Sequence, residues 1–175
     1  MYKRQKGYQG TANIYYGISV SNADELTIVM EENSSITVTE GGNPNSNDRY
    51  GIFHNGKLNI IGDAKLTLNV ECKGQSYGIY AQRGLSISAP LDVTVTKAAD
   101  GNTNPVYGIY SYTGDVSLSG EDMTITVHSN ADAYGNGIYG HNAQTGSLTI
   151  TGKLTITQPD GKSSSGICFL RGPVT

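Results

Sequence analysis

The chain has 175 residues, enough for one domain with a real core, and its 23 Gly and 12 Tyr with no Trp favour short strands and tight turns over helices. Twelve Lys plus Arg stand against 15 Asp plus Glu, a formal charge of -3 with no long run of one sign, which argues against a nucleic-acid partner held through its phosphates. No stretch approaches the roughly 20 apolar residues of a membrane-spanning helix, and residues 1–10 have basic residues with no apolar segment behind them, so neither membrane insertion nor a signal peptide is expected within these residues.

Residues 1–15 read as a lead-in or cap, and residues 16–175 as repeats of one unit within a single domain, 1–175. The tripeptide Tyr-Gly-Ile starts at Tyr16, Tyr50, Tyr77 and Tyr107, and the Gly-Ile pair recurs at Gly137 and Gly166. The glycines at 17, 51, 78, 108, 137 and 166 are spaced by 34, 27, 30, 29 and 29 residues. Between them lie two further sets of segments. The first covers 26–29, 58–61, 85–88, 116–119 and 148–151; the second covers 35–39, 66–70, 91–95, 123–127 and 154–158. All alternate apolar and polar residues with period two, the mark of strands with one buried and one solvated face.

Each repeat is therefore three short strands, A (Tyr-Gly-Ile-Tyr), B (Leu-Thr-Ile-Thr) and C (Leu-Thr-Ile-Thr-Val), which cannot bury their apolar faces alone. Stacking equivalent strands ~4.8 Å apart closes the hydrogen bonds between units and puts Ile, Leu and Val in continuous internal ladders. The predicted fold is all-β, a parallel β-helix solenoid of about five coils of ~29 residues with three strands per coil. Its right-handedness follows from the general chirality of parallel crossovers. A leucine-rich horseshoe would need an Asn or Cys ladder, and a propeller blade four strands over ~40 residues, and this spacing offers neither.

The longest insertions follow strand C, at 40–49, 97–106, 128–136 and 159–165, and their Gly, Asn, Asp and Pro mark solvent loops. At the end of the sequence Pro173, Val174 and Thr175 align with the opening of strand B, so the repeat stops midway. An open solenoid end is a template for further pairing. The expectation is a piece of a longer protein, with end-to-end self-association through uncapped coils as the alternative. Cys72 and Cys168 fall about four layers apart at ~4.8 Å each, beyond the ~7 Å limit between bridged Cα atoms, so no intrachain disulfide is expected.

Alternation through strand A places Ile18, Ile52, Ile79, Ile109, Ile138 and Ile167 inward, and Gly51, Gly78, Gly108 and Gly137 outward. Phe53, Tyr80, Tyr110 and Tyr139 also face outward, forming an aromatic strip beside a row of glycines. This strip is the candidate ligand-binding surface, since aromatic faces stack on sugar rings. The competing reading is a stacked ladder that only stabilises the sheet. The preceding residues Tyr16, Tyr50, Tyr77 and Tyr107 take the inward parity and a structural place at a corner.

No paired carboxylates or acid cluster accompany the strip, so no catalytic residue is assigned. His54, Arg83 and His141 lie nearest; the two histidines are about three layers apart, and an isolated His in a surface turn is ordinary. Asp48, Asp100, Asp132 and Asp160 sit in the loops after strand C, where Asx turns explain them and calcium chelation is the alternative. No other cofactor or metal is expected. Asn33-Ser34-Ser35 has the form of a glycosylation acceptor.

The pattern Gly137 to Tyr139, Leu148 to Gly152 and Leu154 to Thr157 resembles repeat regions of large surface proteins from gut-type Gram-positive bacteria, right-handed β-helix proteins of adhesin-like or carbohydrate-binding type. The likeness covers 16–175. It implies a β-helix fold and an extracellular, cell-surface setting, with polysaccharides or surface glycans as partners. The acid-rich turns of calcium- and polygalacturonate-binding relatives are missing here. The expectation is a non-enzymatic stalk or glycan-binding module; the alternative is a fragment of a β-helix polysaccharide lyase or glycoside hydrolase.

Overall fold

A computed structural model describes residues 14–39, 48–99, 101, 103–141, 146–157, 164–170 and 173–175. Sixteen strands follow in chain order: β1 (Tyr15–Val20), β2 (Glu25–Met30), β3 (Ser34–Val38), β4 (Arg49–His54), β5 (Lys57–Gly62), β6 (Leu66–Cys72), β7 (Ser76–Ala81) and β8 (Leu85–Ile87). They continue with β9 (Leu91–Lys97), β10 (Val106–Ser111), β11 (Val116–Leu118), β12 (Met123–His128), β13 (Gly135–Gly140), β14 (Leu148–Ile150), β15 (Leu154–Thr157) and β16 (Ser165–Phe169). Among the described residues there is no helix.

Every third strand pairs with its equivalent one coil away, and all the pairings are parallel. Sheet A runs β1-β4-β7-β10-β13-β16, sheet B β14-β11-β8-β5-β2, and sheet C β15-β12-β9-β6-β3. This is the predicted three-sided solenoid. The register sets like on like: Ile18, Ile52, Ile79, Ile109, Ile138 and Ile167 form one column. The middle four of these isoleucines are wholly buried. Sheet C shows why these sequences make strands: in β9 Leu91, Val93 and Val95 face the core while Asp92, Thr94 and Thr96 face outward, so β-branched residues pack on both pleated surfaces.

The turns keep the coils compact. Gly84 and Gly114 hold φ of +124° and +82° at the A-to-B corner, a region that L side chains rarely enter. Backbone bonds cross coils there, Leu58 N–H to Gly84 O at 3.0 Å and Leu85 N–H to Asp115 O at 2.9 Å. Val174 bridges Leu148 in parallel, which puts the final residues on the strand-B edge as the alignment predicts. Cys72 lies in sheet C and Cys168 in sheet A, and no disulfide joins them.

Strict alternation fails at one place in strand A. A Cβ built on Gly78 would stand 2.3 Å from Val93 Cγ1, a core atom, and 2.5 Å from Gly108 O, so the glycines face sheet C and the interior, not solvent. The following isoleucine is interior too. With two consecutive residues turned inward, the parity of the residue before them reverses: Tyr50, Tyr77 and Tyr107 stand on the outer face with Phe53, Tyr80, Tyr110 and Tyr139, apart from the main core. The glycine trough expected on the surface is thus an internal seat, where the missing side chain lets Val and Ile of sheet C approach the backbone of sheet A.

Candidate functional site: the aromatic rows of sheet A

Two parallel rows of rings cover the outer face of sheet A. The register aligns Tyr16, Tyr50, Tyr77 and Tyr107 in one row, continued by Asn136 and Ser165, and Phe53, Tyr80, Tyr110 and Tyr139 in the other, bounded by Ser19 and Cys168. Within a row the rings stack nearly parallel. Tyr50 and Tyr77 are 4.7 Å apart at 5°, Tyr80 and Tyr110 5.2 Å apart at 9°, and Tyr110 and Tyr139 5.4 Å apart at 17°. Between rows they meet edge to face, as in Tyr77 with Tyr80 at 5.4 Å and 86° and Tyr77 with Tyr110 at 5.2 Å and 86°. Both are favourable quadrupole arrangements, and both follow from the coil spacing imposed by the sheet.

The consequence for chemistry is that most ring faces are already occupied. Tyr50, Tyr77, Tyr107 and Tyr110 are only 6–8% exposed although they lie on the outside of the solenoid. Phe53, Tyr80 and Tyr139 are half-buried, and Tyr16, in the first coil, is 39% exposed. The surface therefore offers ring edges and hydroxyls more than flat faces. Burial first, and nearby ionisable groups second, push the phenols of Tyr50, Tyr77 and Tyr110 far up, and Tyr107 is pushed up to about 12, so these hydroxyls stay protonated donors at neutral pH. Tyr80 donates its hydroxyl to Gln82 Oε1 at 2.5 Å.

The other residues singled out in the sequence scatter around this face. His54 is wholly buried, not in a surface turn: its column holds Val20, Ala81, Ser111, Gly140 and Phe169, and is interior. Its Nδ1 lies 2.7 Å from Val20 O, which can only accept, so Nδ1 carries the hydrogen. His141 is exposed and stacks on Tyr112 at 5.1 Å, which extends the aromatic surface beyond the residues recognised in the sequence. Arg83 pairs with Asp24 at 3.1 Å on the surface. Asp48 is half-buried beside Tyr16 and Tyr50; burial pushes its carboxyl up, partly offset by Arg49 and Lys97. Asp132 is exposed, and Asp100 and Asp160 lie outside the described residues, as does most of the 40–49 loop.

Sequence reasoning missed the interior cations at the C-to-A corner. Arg49 is 1% exposed with its guanidinium 3.9 Å from the centre of the Tyr15 ring. Lys97, buried in the same corner, donates Nζ to Gly74 O at 2.6 Å and to Asn104 O at 2.8 Å. Burial pushes its ammonium below the usual lysine range. Lys97 thereby ties two loop segments to its coil, and Arg49 packs on the first strand of sheet A. Among the described residues, no group of three His, Cys, Asp or Glu is placed to hold a metal ion.

No family model, curated protein or solved structure matches this chain.

Proposed function

We propose that this chain is a non-enzymatic module of an extracellular, cell-surface protein, a stiff solenoid spacer whose aromatic rows lock successive coils in register. The observation that carries this reading is the use of the rings on one another: Tyr77 alone meets Tyr50, Tyr80, Tyr107 and Tyr110 within 4.7 to 5.4 Å. A strip built to stack on sugars would keep its faces open. The cell-surface setting rests on the likeness of the Gly-Ile-Tyr and Leu-Thr-Ile-Thr repeats to bacterial surface proteins.

A second reading has one observation in its favour. Phe53, Tyr80 and Tyr139 keep part of their rims in solvent, and such rims can contact a surface glycan through apolar edges and hydroxyls. Replacing Tyr80 and Tyr110 together by Ser separates the two. The spacer reading expects a clear fall in the unfolding midpoint and, with or without calcium, no glycan retention on an array that depends on these two rings. A parent that binds a glycan reproducibly, and a double variant that keeps its stability but loses that binding, would overturn it.

A further inference from the structure

A second surface, on sheet C, carries a different chemistry. The outward residues there stand in cross-strand columns. Thr37, Asn69 and Thr94 form one, and Glu71 and Thr96, the next outward residues along β6 and β9, pair in another, with Thr39, one residue past the end of β3, beside them. These six side chains, over a floor at Val70, line an open depression of about 180 Å³. Strands stack ~4.8 Å apart and alternate residues along a strand lie ~6.7 Å apart, so the six heads make a regular two-by-three grid across three coils.

The chemistry of the grid is narrow. Hydroxyl and amide groups both donate and accept, which suits the vicinal hydroxyls of a sugar. The single charge is the Glu71 carboxylate. The ion pairs among the described residues join Lys57 to Glu25, Lys65 to Asp122 and Arg83 to Asp24, and none reaches Glu71. Asp92 stands one column away, and the outward positions of β3, β6, β9, β12 and β15 include no Lys or Arg. The strand positions of the face are therefore polar with Glu71 and Asp92 as their carboxylates, and lysines stand only beyond the strand ends, at Lys65, Lys73 and Lys153.

We propose that this depression binds a linear glycan containing amino sugars, laid across the coils with a protonated amine on Glu71 and ring hydroxyls on Thr37, Asn69, Thr94 and Thr96. Its volume is below the roughly 300–1,000 Å³ of pockets that enclose a whole ligand, so it seats one sugar while the rest of the chain runs over neighbouring coils. A neutral glycan gives the carboxylate only hydroxyl hydrogen bonds, whereas a protonated amine gives a charge-assisted one roughly twice as strong, and an acidic glycan would be repelled. The site lies apart from the aromatic rows and does not depend on the spacer reading.

Titration calorimetry on the whole chain tests it, with glucosamine hexasaccharide and its fully N-acetylated counterpart as probes at about pH 6, where the amines are charged. Saturable heat is expected with the first and at least ~tenfold weaker binding with the second, the size of one charge-assisted contact. Glu71→Gln, on an exposed side chain, should leave the melting curve in place and lose ~tenfold or more in affinity for the amine form. Glu25→Gln, the same change on an exposed side chain of sheet B, should bind as the parent does. No saturable heat with the amine form, equal affinity for both probes, or an unaffected Glu71→Gln would each overturn the site. The first of these outcomes leaves the spacer reading standing, because that reading is decided by the stability of the aromatic variants.

Discussion

Replacing Gly78 by Ala tests the internal seat of the glycine column most directly. The new methyl would lie 2.3 Å from Val93 Cγ1 and 2.5 Å from Gly108 O. Val93 can give a little, but the carbonyl belongs to the next coil's backbone and is held by the sheet. Overpacking of a tight core costs about 1–3 kcal/mol, and a contact with backbone belongs at the upper end. Against it stands the gain of about 0.5–1 kcal/mol from removing a glycine from a strand. The net expectation is a loss of about 2 kcal/mol. The chain contains its own control in Gly166, the same position of the repeat in the last described strand of sheet A, where a Cβ would meet nothing within 4 Å. Gly166→Ala keeps only that gain and should match the parent or exceed it by up to about 1 kcal/mol. Urea unfolding of the three proteins, followed by circular dichroism, reads the difference. A Gly78→Ala protein as stable as the parent, or two variants equally destabilised, would refute the close-approach argument.

Other perturbations reach the remaining features. Tyr77→Ala removes a buried ring from four ring contacts and should cost about 3–5 kcal/mol, whereas Tyr77→Phe keeps the stack and should cost under about 1 kcal/mol, both read from urea midpoints. The raised phenols predict a pH dependence: their folded values lie above the unfolded value near 10, so the stability they contribute is complete below pH 10 and is lost as pH climbs through the folded values, with Tyr107 at about 12. Absorbance at 295 nm should show these tyrosines un-ionised at pH 10 to 11 in the native chain, and ionisation there with intact circular dichroism would contradict the burial. Lys97→Met takes the donor from Gly74 O and Asn104 O and should destabilise by about 1–3 kcal/mol; an unchanged melting midpoint would show that those carbonyls find other partners.

Most of the architecture could be read before any coordinates. The Gly-Ile spacing and the period-two segments place all three sheets, because a ladder of Ile on Ile or Leu on Leu is a property of residue identity at fixed intervals. What could not be read by alternation was the break inside strand A. Tyr50 and Phe53, three residues apart and both aromatic, carry the signal, since in an unbroken strand they would face opposite sides. His54 was missed for a different reason: two residues after Ile52 it shares that residue's inward parity, but it follows the Tyr-Gly-Ile-aromatic motif and reads as the start of a turn, whereas β4 continues through it. The ring identities of the candidate strip were legible, but not the occupation of their faces, which depends on tilt angles that sequence does not encode.

The like-on-like register also bears on how long such a molecule can be. Each coil meets only its neighbours, and the surfaces it presents above and below are nearly the same. Residues 78–107 span one complete period, from the glycine after Tyr77 to Tyr107. Without them Tyr77 would run directly into Gly108, and the isoleucine ladder would close over the gap with Ile109 resting on Ile52. A chain of this kind measures distance in whole coils, and its reach is set by counting rather than by redesign.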